Sequence, residues 1–181
     1  MEQNPNVLLE QLLASYAANF DIERTLFIEG LPFAAAAEFH SRAEKYVLTK
    51  SARLWAAENH EYTFFALFTH LDMAAWQQYA DAALHEGRRR IKPHPEHMCS
   101  YISLVILADT IDDEVKKALR TIRYHKSFKF SFYGWSEFRV AAAELSANRT
   151  YANRAGREVA AGLEKLLARR PASGQRDSRQ S

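Results

Sequence analysis

The stretch Phe33-Ala34-Ala35-Ala36-Ala37-Glu38-Phe39-His40-Ser41-Arg42-Ala43-Glu44-Lys45-Tyr46 decides how the rest of the chain is read. Four consecutive alanines behind Pro32 favour a helix with the proline in its first turn. Against that, Phe33, Ala35, Ala37 and Phe39 alternate with Ala34, Ala36, Glu38, His40 and Arg42. A period of two suits a strand returning from a turn at Gly30-Leu31-Pro32, and the strand reading is adopted here. It places Glu38, His40, Arg42 and Glu44 on one face, where Glu58 or Glu61 from the next segment can meet them. A helix would instead leave Glu38 and Arg42 as an ordinary surface pair one turn apart.

Upstream, Asn6 is predicted to cap a helix whose apolar positions are Leu9, Leu12, Leu13, Tyr16 and Phe20. The period then changes to two, and Phe20, Ile22, Leu26 and Ile28 mark a strand as far as Glu29. Downstream, Lys50–Glu58 and Glu61–Thr69 read as a hairpin joined at Asn59-His60. Its second arm, Tyr62–Phe68, is apolar enough to be buried on both faces. Asp72 caps a helix with Met73, Trp76, Tyr79, Ala80, Ala83 and Leu84 inward, ending at Gly87 before Arg88, Arg89 and Arg90.

Two prolines make Ile91–Ser100 a loop, and Tyr101–Ala108 is the clearest buried strand. Thr110 and Asp113 open a further helix in the manner of a capping box, with Val115, Leu119 and Ile122 on one side. A strand with Phe128, Phe130 and Phe132 on one face follows, then Gly134 as a turn and Glu137–Leu145. Asn153 caps a last helix bearing Val159, Leu163 and Leu167. The elements amount to one α+β domain over residues 1–168, a largely antiparallel sheet covered by about four helices.

Composition is that of an ordinary globular domain, 48% apolar and 25% charged over 181 residues. The formal charge of +2 is skewed by residues 169–181, which hold four Arg and one Asp and leave the body at −1. That tail has nothing to bury and reads as a disordered basic extension. The pI of about 8.7 is therefore weak support for nucleic-acid binding. Cys99 is the only cysteine, so no intrachain disulfide forms, in keeping with a reducing cytoplasm. The first residues lack a basic start and apolar run, and no apolar stretch reaches about 18 residues. These features predict a cytoplasmic protein with no membrane association.

Three constellations carry chemistry. The first is the strand face itself. Glu38 with Glu58 or Glu61 forms a carboxylate set able to hold a divalent cation, with His40 or His60 as proton-transfer group. The same residues also read as a solvated face of cross-strand pairs with Arg42, Lys45 or Lys50. The second is His94-Pro95-Glu96-His97, with two imidazoles near Cys99. It lacks the four-ligand spacing of a structural zinc site, and its reading is a loop that orders the strand behind it. The third is His125-Lys126-Ser127-Phe128-Lys129-Phe130 with Arg139 in the next strand, a phosphate or nucleic-acid surface with stacking rings. Plain strand alternation, Phe inward and Lys outward, produces the same pattern.

No Gly-x-Gly-x-x-Gly, Walker-type loop or Gly-x-Ser-x-Gly elbow is present. The order of elements shares an outline with metal-dependent nucleases of the Pro-Asp…(Asp/Glu)-x-Lys type. However, the Pro-Asp pair is missing, and His60 stands where that pattern has Lys.

Ala37-Glu38-Phe39-His40-Ser41-Arg42 with Glu44-Lys45-Tyr46, Leu54-Trp55, Glu58-x-x-Glu61-Tyr62 and Glu96-His97-Met98 carry a wider likeness. Lys126-Ser127-Phe128-Lys129-Phe130, Gly134-Trp135 and Asn153-Arg154-Ala155-Gly156 continue it. Over roughly residues 20 to 165 the chain resembles a family of uncharacterised bacterial proteins. The resemblance implies a single bacterial cytoplasmic domain and no established activity.

Two functions follow as expectations. One is a non-catalytic interaction or regulatory domain that contacts a protein partner through Arg42, Lys45, Lys126, Lys129 or Arg139 and needs no cofactor. The other is a divalent-metal nuclease or phosphodiesterase. It would use Glu38, Glu58 or Glu61 as ligands, His40, His60 or Lys126 in catalysis, and Lys126 or Lys129 on phosphate. An apolar pocket lined by Trp55, Phe64, Phe65 or Trp135 is more simply core.

Overall fold

Alternating aromatic and aliphatic runs bury both faces of a central sheet, and amphipathic helices cover it in two layers. The computed structural model describes residues 4–46 and 53–168 and, within them, the side chains outside 42–57. The predicted tail 169–181, the start of the second hairpin at Lys50, and the side chains of Arg42, Glu44, Lys45 and Trp55 lie outside these.

The chain runs α1 (Pro5–Tyr16), β1 (Asp21–Ile28), β2 (Leu31–Tyr46), β3 (Arg53–Leu71) and α2 (Met73–Arg90). It continues through β4 (His97–Ile111), α3 (Asp113–Thr121), β5 (His125–Ser127), β6 (Trp135–Glu144), β7 (Arg149–Ala152) and α4 (Arg157–Ala168). The adopted strand reading of residues 33–46 therefore holds, and the domain is α+β. Strand order is β1-β2-β3-β4-β6-β5, with β7 also on β6. The pairs β1–β2, β2–β3, β5–β6 and β6–β7 are antiparallel, whereas β3–β4 and β4–β6 are parallel. The sheet is thus largely antiparallel but mixed, and its centre is parallel. The physical reason is connectivity, because α2 and α3 each carry the chain back to the starting end of the neighbouring strand.

On one face Trp76, Tyr79, Val115 and Leu119 of α2 and α3 pack on Phe64, Ile102, Leu104 and Phe138. On the other, Leu9, Leu13 and Leu163 of α1 and α4 pack on Phe65, Val105, Leu107 and Ala141. Phe64 and Phe65, or Leu104 and Val105, are adjacent residues serving opposite cores, which is why these strands read as unbroken apolar runs. At β1–β2 the alternation breaks where Thr25 takes φ +53 and drops out of the ladder. Leu26, Ile28 and Phe33 then face α2, while Ile22, Ala35 and Ala37 face α1.

Several boundaries differ from expectation. Asn4, two residues ahead of the predicted Asn6, caps α1, its Oδ1 accepting from Asn6 N at 2.9 Å. The turn before β2 is Glu29-Gly30, both at positive φ as a two-residue hairpin requires, so Leu31 and Pro32 already belong to the strand. No turn exists at Asn59-His60, because β3 is one strand of 19 residues and His60 lies opposite His40.

Gly87 does not end α2. It is buried inside the helix, where a Cβ would lie 2.5 Å from Ile102 Cγ2, and Arg88–Arg90 form the last turn. β4 starts at His97, ahead of the predicted Tyr101, because the segment gains a parallel partner in β3. Asp112 rather than Thr110 precedes α3, and Thr110 stays in β4 opposite His70.

The predicted Phe128–Phe132 strand stops at Ser127. Lys129, Phe130 and Ser131 adopt left-handed φ of +49, +53 and +72, and Phe130 and Phe132 are 96% and 79% exposed. β7 was not anticipated. Asn153 precedes α4 and holds Val140 N–H at 3.0 Å and Gly156 N–H at 2.8 Å. Among the described residues no helix is long and apolar enough to cross a membrane.

Candidate functional site

Directly opposed residues of an antiparallel pair share a face. The β2–β3 register pairs Glu38 with Tyr62 and His40 with His60, so Glu38, His40, Glu58, His60 and Tyr62 alternate on one side of the sheet. Glu61 pairs with Phe39 and lies on the reverse side. These five occupy the α2 side, where α2 ends at Arg90, and the Tyr62 hydroxyl sits 3.5 Å from the Arg90 carbonyl. Among the described residues no helix lies over β2 and β3 past that point. The 91–96 segment then crosses this open face on its way to β4.

A continuous chain of polar contacts runs over it. Arg90 Nη1 donates to Glu38 Oε2 at 3.0 Å, and Glu38 Oε1 is 2.6 Å from His40 Nε2. The Nδ1 atoms of His40 and His60 are in contact. His60 Nε2 lies 3.7 Å from Glu58 Oε2, and His94 Nε2 lies 3.0 Å from the same oxygen. The directions follow from these partners. His60 Nδ1–H donates to His40 Nδ1, and His40 Nε2–H donates to Glu38, which leaves a lone pair on His60 Nε2 facing Glu58.

Burial, with the neighbouring His40 and His97 rings, holds the His60 pKa below its ordinary value despite Glu58. Near neutral pH His60 is therefore the uncharged imidazole that ligates metals. Glu58, His60 and His94 bring one ligand atom each within 4.8 Å of one another. A tetrahedral zinc ion needs such atoms about 3.3 Å apart, so small side-chain adjustments suffice. His94 Nδ1 accepts from Glu96 N–H at 3.3 Å, which puts the His94 proton on Nε2, and a metal bound there takes that proton's place.

His97 does not join this set. Its ring is buried and stacked on His60 at 5.8 Å, with Nδ1 2.6 Å from the Tyr133 carbonyl and Nε2 2.8 Å from Ser100 Oγ. Cys99 is also excluded. Burial pushes its thiol pKa up, and Sγ contacts Asn59 Oδ1 at 3.1 Å.

The expected carboxylate set is therefore not assembled. Glu38 stands two imidazoles away from Glu58, and Glu61 is on the far side of the sheet, 3.8 Å from Arg139. Arg139 lines the α1–α4 side of the sheet, whereas Phe128 packs on the α2–α3 core, so the two do not share the surface that the sequence reading gave them. Lys126 and Lys129 do flank that surface, over the Phe128 and Tyr133 rings, and Phe128 reaches the His97 ring at 5.7 Å. The sequence reading weighed His94 with His97 and Cys99 as a metal site and preferred a loop-ordering role, without pairing His94 with Glu58 or His60. The role of His94 depends on β4 lying parallel to β3, which carries residues 94–96 past Glu58; Glu58 N in fact donates to the Glu96 carbonyl at 2.9 Å.

Residues 4–165 match the family model described as Domain of unknown function (DUF8052), and the chain belongs to that family. No curated protein and no solved structure matches it.

Proposed function

We propose that this domain works through a divalent transition-metal ion held by Glu58, His60 and His94, and that the ion serves hydrolysis of a phosphodiester. The observation supporting this is the triad itself, with His60 backed by His40, Glu38 and Arg90. Outer contacts of this kind fix tautomer and ring orientation in metal sites. Structural zinc takes four protein ligands, whereas three leave a position for water, whose pKa the ion lowers. His97 and Cys99, the nearby residues able to close the shell, are committed elsewhere. Lys126 on β5 and Lys129 on the turn after it would neutralise phosphate.

Chelator-stripped protein should bind Zn²⁺ or Mn²⁺ one to one by calorimetry. At a hundredfold excess over Kd the fold should gain about 2.7 kcal/mol. His60→Ala and Glu58→Gln should each abolish that gain and the hydrolysis of bis(p-nitrophenyl) phosphate. Wild-type protein that takes up no ion would end the reading.

The nucleic-acid reading of the 125–130 segment has one observation of its own. Phe130 and Phe132 project from a left-handed turn costing about 1–2 kcal/mol per residue, flanked by Lys126 and Lys129. Rings and cations together suit single-stranded nucleic acid. Anisotropy of a labelled oligonucleotide that is indifferent to a Phe130→Ser/Phe132→Ser double change would eliminate it.

A further inference from the structure

The reverse side of the same strands holds a cleft of about 400 Å³ between α1 and α4. Its walls are apolar, formed by Leu12, Tyr16, Phe20, Val159 and Leu166, and Glu61 and Arg139 line its floor. That volume lies within the range of small-molecule sites, about 300–1,000 Å³.

Two observations indicate what would fill it. The first is the Arg139 guanidinium. Its side chain is only 14% exposed, it lies over the Tyr101 ring, and Glu61 Oε2 is 3.8 Å away. Its Nε is buried and has no hydrogen-bond partner. A buried donor left unpaired costs about 1–3 kcal/mol, and a guanidinium has five donors. Glu61 Oε2 faces Nη1 at 3.8 Å, beyond hydrogen-bond reach, and Oε1 receives the Thr63 and Ser103 hydroxyls at 3.3 and 3.5 Å, so Glu61 gives Nε no hydrogen bond. What the floor lacks is an acceptor.

The second is Gly162, in the middle of α4 on the cleft wall. A Cβ there would meet nothing within 4 Å. Glycine inside a helix costs about 0.5–1 kcal/mol relative to alanine, and no neighbour within the chain requires it. The open space it leaves belongs to the cleft.

We propose that this cleft binds a small amphipathic carboxylate, with its carboxylate on Arg139 and its apolar body against Tyr16, Phe20 and Leu166. Hydrogen bonding decides between head groups, because the lining charges balance, Arg139 and Lys165 against Glu61 and Glu158, while the polar atom left without a partner is the Arg139 Nε donor.

The test is calorimetry on the full chain with octanoate, octan-1-ol and octylamine, whose tails are identical. Octanoate should bind at least tenfold more tightly than either of the others. Arg139→Gln should remove that preference, and Gly162→Leu, which fills open space, should abolish binding while leaving Zn²⁺ titration unchanged. Gly162→Ala controls for helix stability and should still bind. Equal binding of octanoate and octan-1-ol, tighter binding of octylamine, or octanoate binding unaltered in Gly162→Leu would each overturn the proposal.

Discussion

His60 and Glu61 are consecutive residues of β3, and they serve opposite sides of one sheet. His60 looks out past the end of α2 onto a row of titratable groups linked edge to edge, and burial keeps it uncharged. Glu61 looks into the space between α1 and α4, where its carboxylate receives two hydroxyls and stands beside a buried guanidinium. There burial, reinforced by the Glu61 charge, pushes the Tyr16 pKa up to about 12. The difference shows how a pleated strand separates two chemistries by one residue. One side gathers exchangeable protons and metal-ligand lone pairs, and the other gathers fixed charge under an apolar roof. A one-residue slip of β3 would exchange them and destroy both.

Metal affinity offers the sharpest test of that separation. His40 touches no proposed ligand atom, yet it accepts the His60 Nδ1 proton. His40→Ala should therefore weaken Zn²⁺ binding roughly 10–100-fold, the usual effect of removing an outer contact. Octanoate binding on the reverse side should not change, and calorimetry with both ligands reads the two effects side by side.

Glu61→Gln perturbs the other side. It removes the charge beside Arg139, and chemical denaturation should show a loss of about 1–3 kcal/mol with Zn²⁺ affinity intact. If metal affinity falls with it, the two sides are not independent.

Acid should act through His60. Its folded pKa is below the unfolded value of about 6.5, so the unfolded chain takes up the proton first as pH falls. Stability from this residue is complete above about pH 6.5 and is lost as pH drops through the folded value. Urea midpoints between pH 7.5 and 5.5 should fall for the wild type and fall less for His60→Gln. The smallest effect belongs to the cleft wall, where Gly162→Ala should raise stability by about 0.5–1 kcal/mol, visible as a higher Tm.

How much of this was legible varies with the range of the interaction. The alternation Ala35-Ala37-Phe39 was enough to make residues 33–46 a strand and to put Glu38 and His40 on one face, although Phe33 turns to the opposite core. Asp72 was enough to start α2, its Oδ1 accepting from Ala75 N at 2.8 Å. The reading of Asn59-His60 as a turn failed because polar residues in mid-strand imitate a break when no helix covers them. The parallel centre was missed although helices stood between the strands. That order already implies crossovers, and the antiparallel expectation overrode it.

By itself, then, the sequence determined the strand from residue 33 onward, the buried strands at 62–68 and 101–108, the four helices and the presence of a histidine- and carboxylate-rich face. Each rests on local periodicity or capping, which neighbouring residues supply. Only the tertiary structure decided which carboxylate stands beside which histidine. Glu58 meets His94 where the segment leading into β4 crosses β3, and Glu61 turns away to Arg139. Those partners are set by register and crossover between segments distant in the chain, a property no single stretch contains.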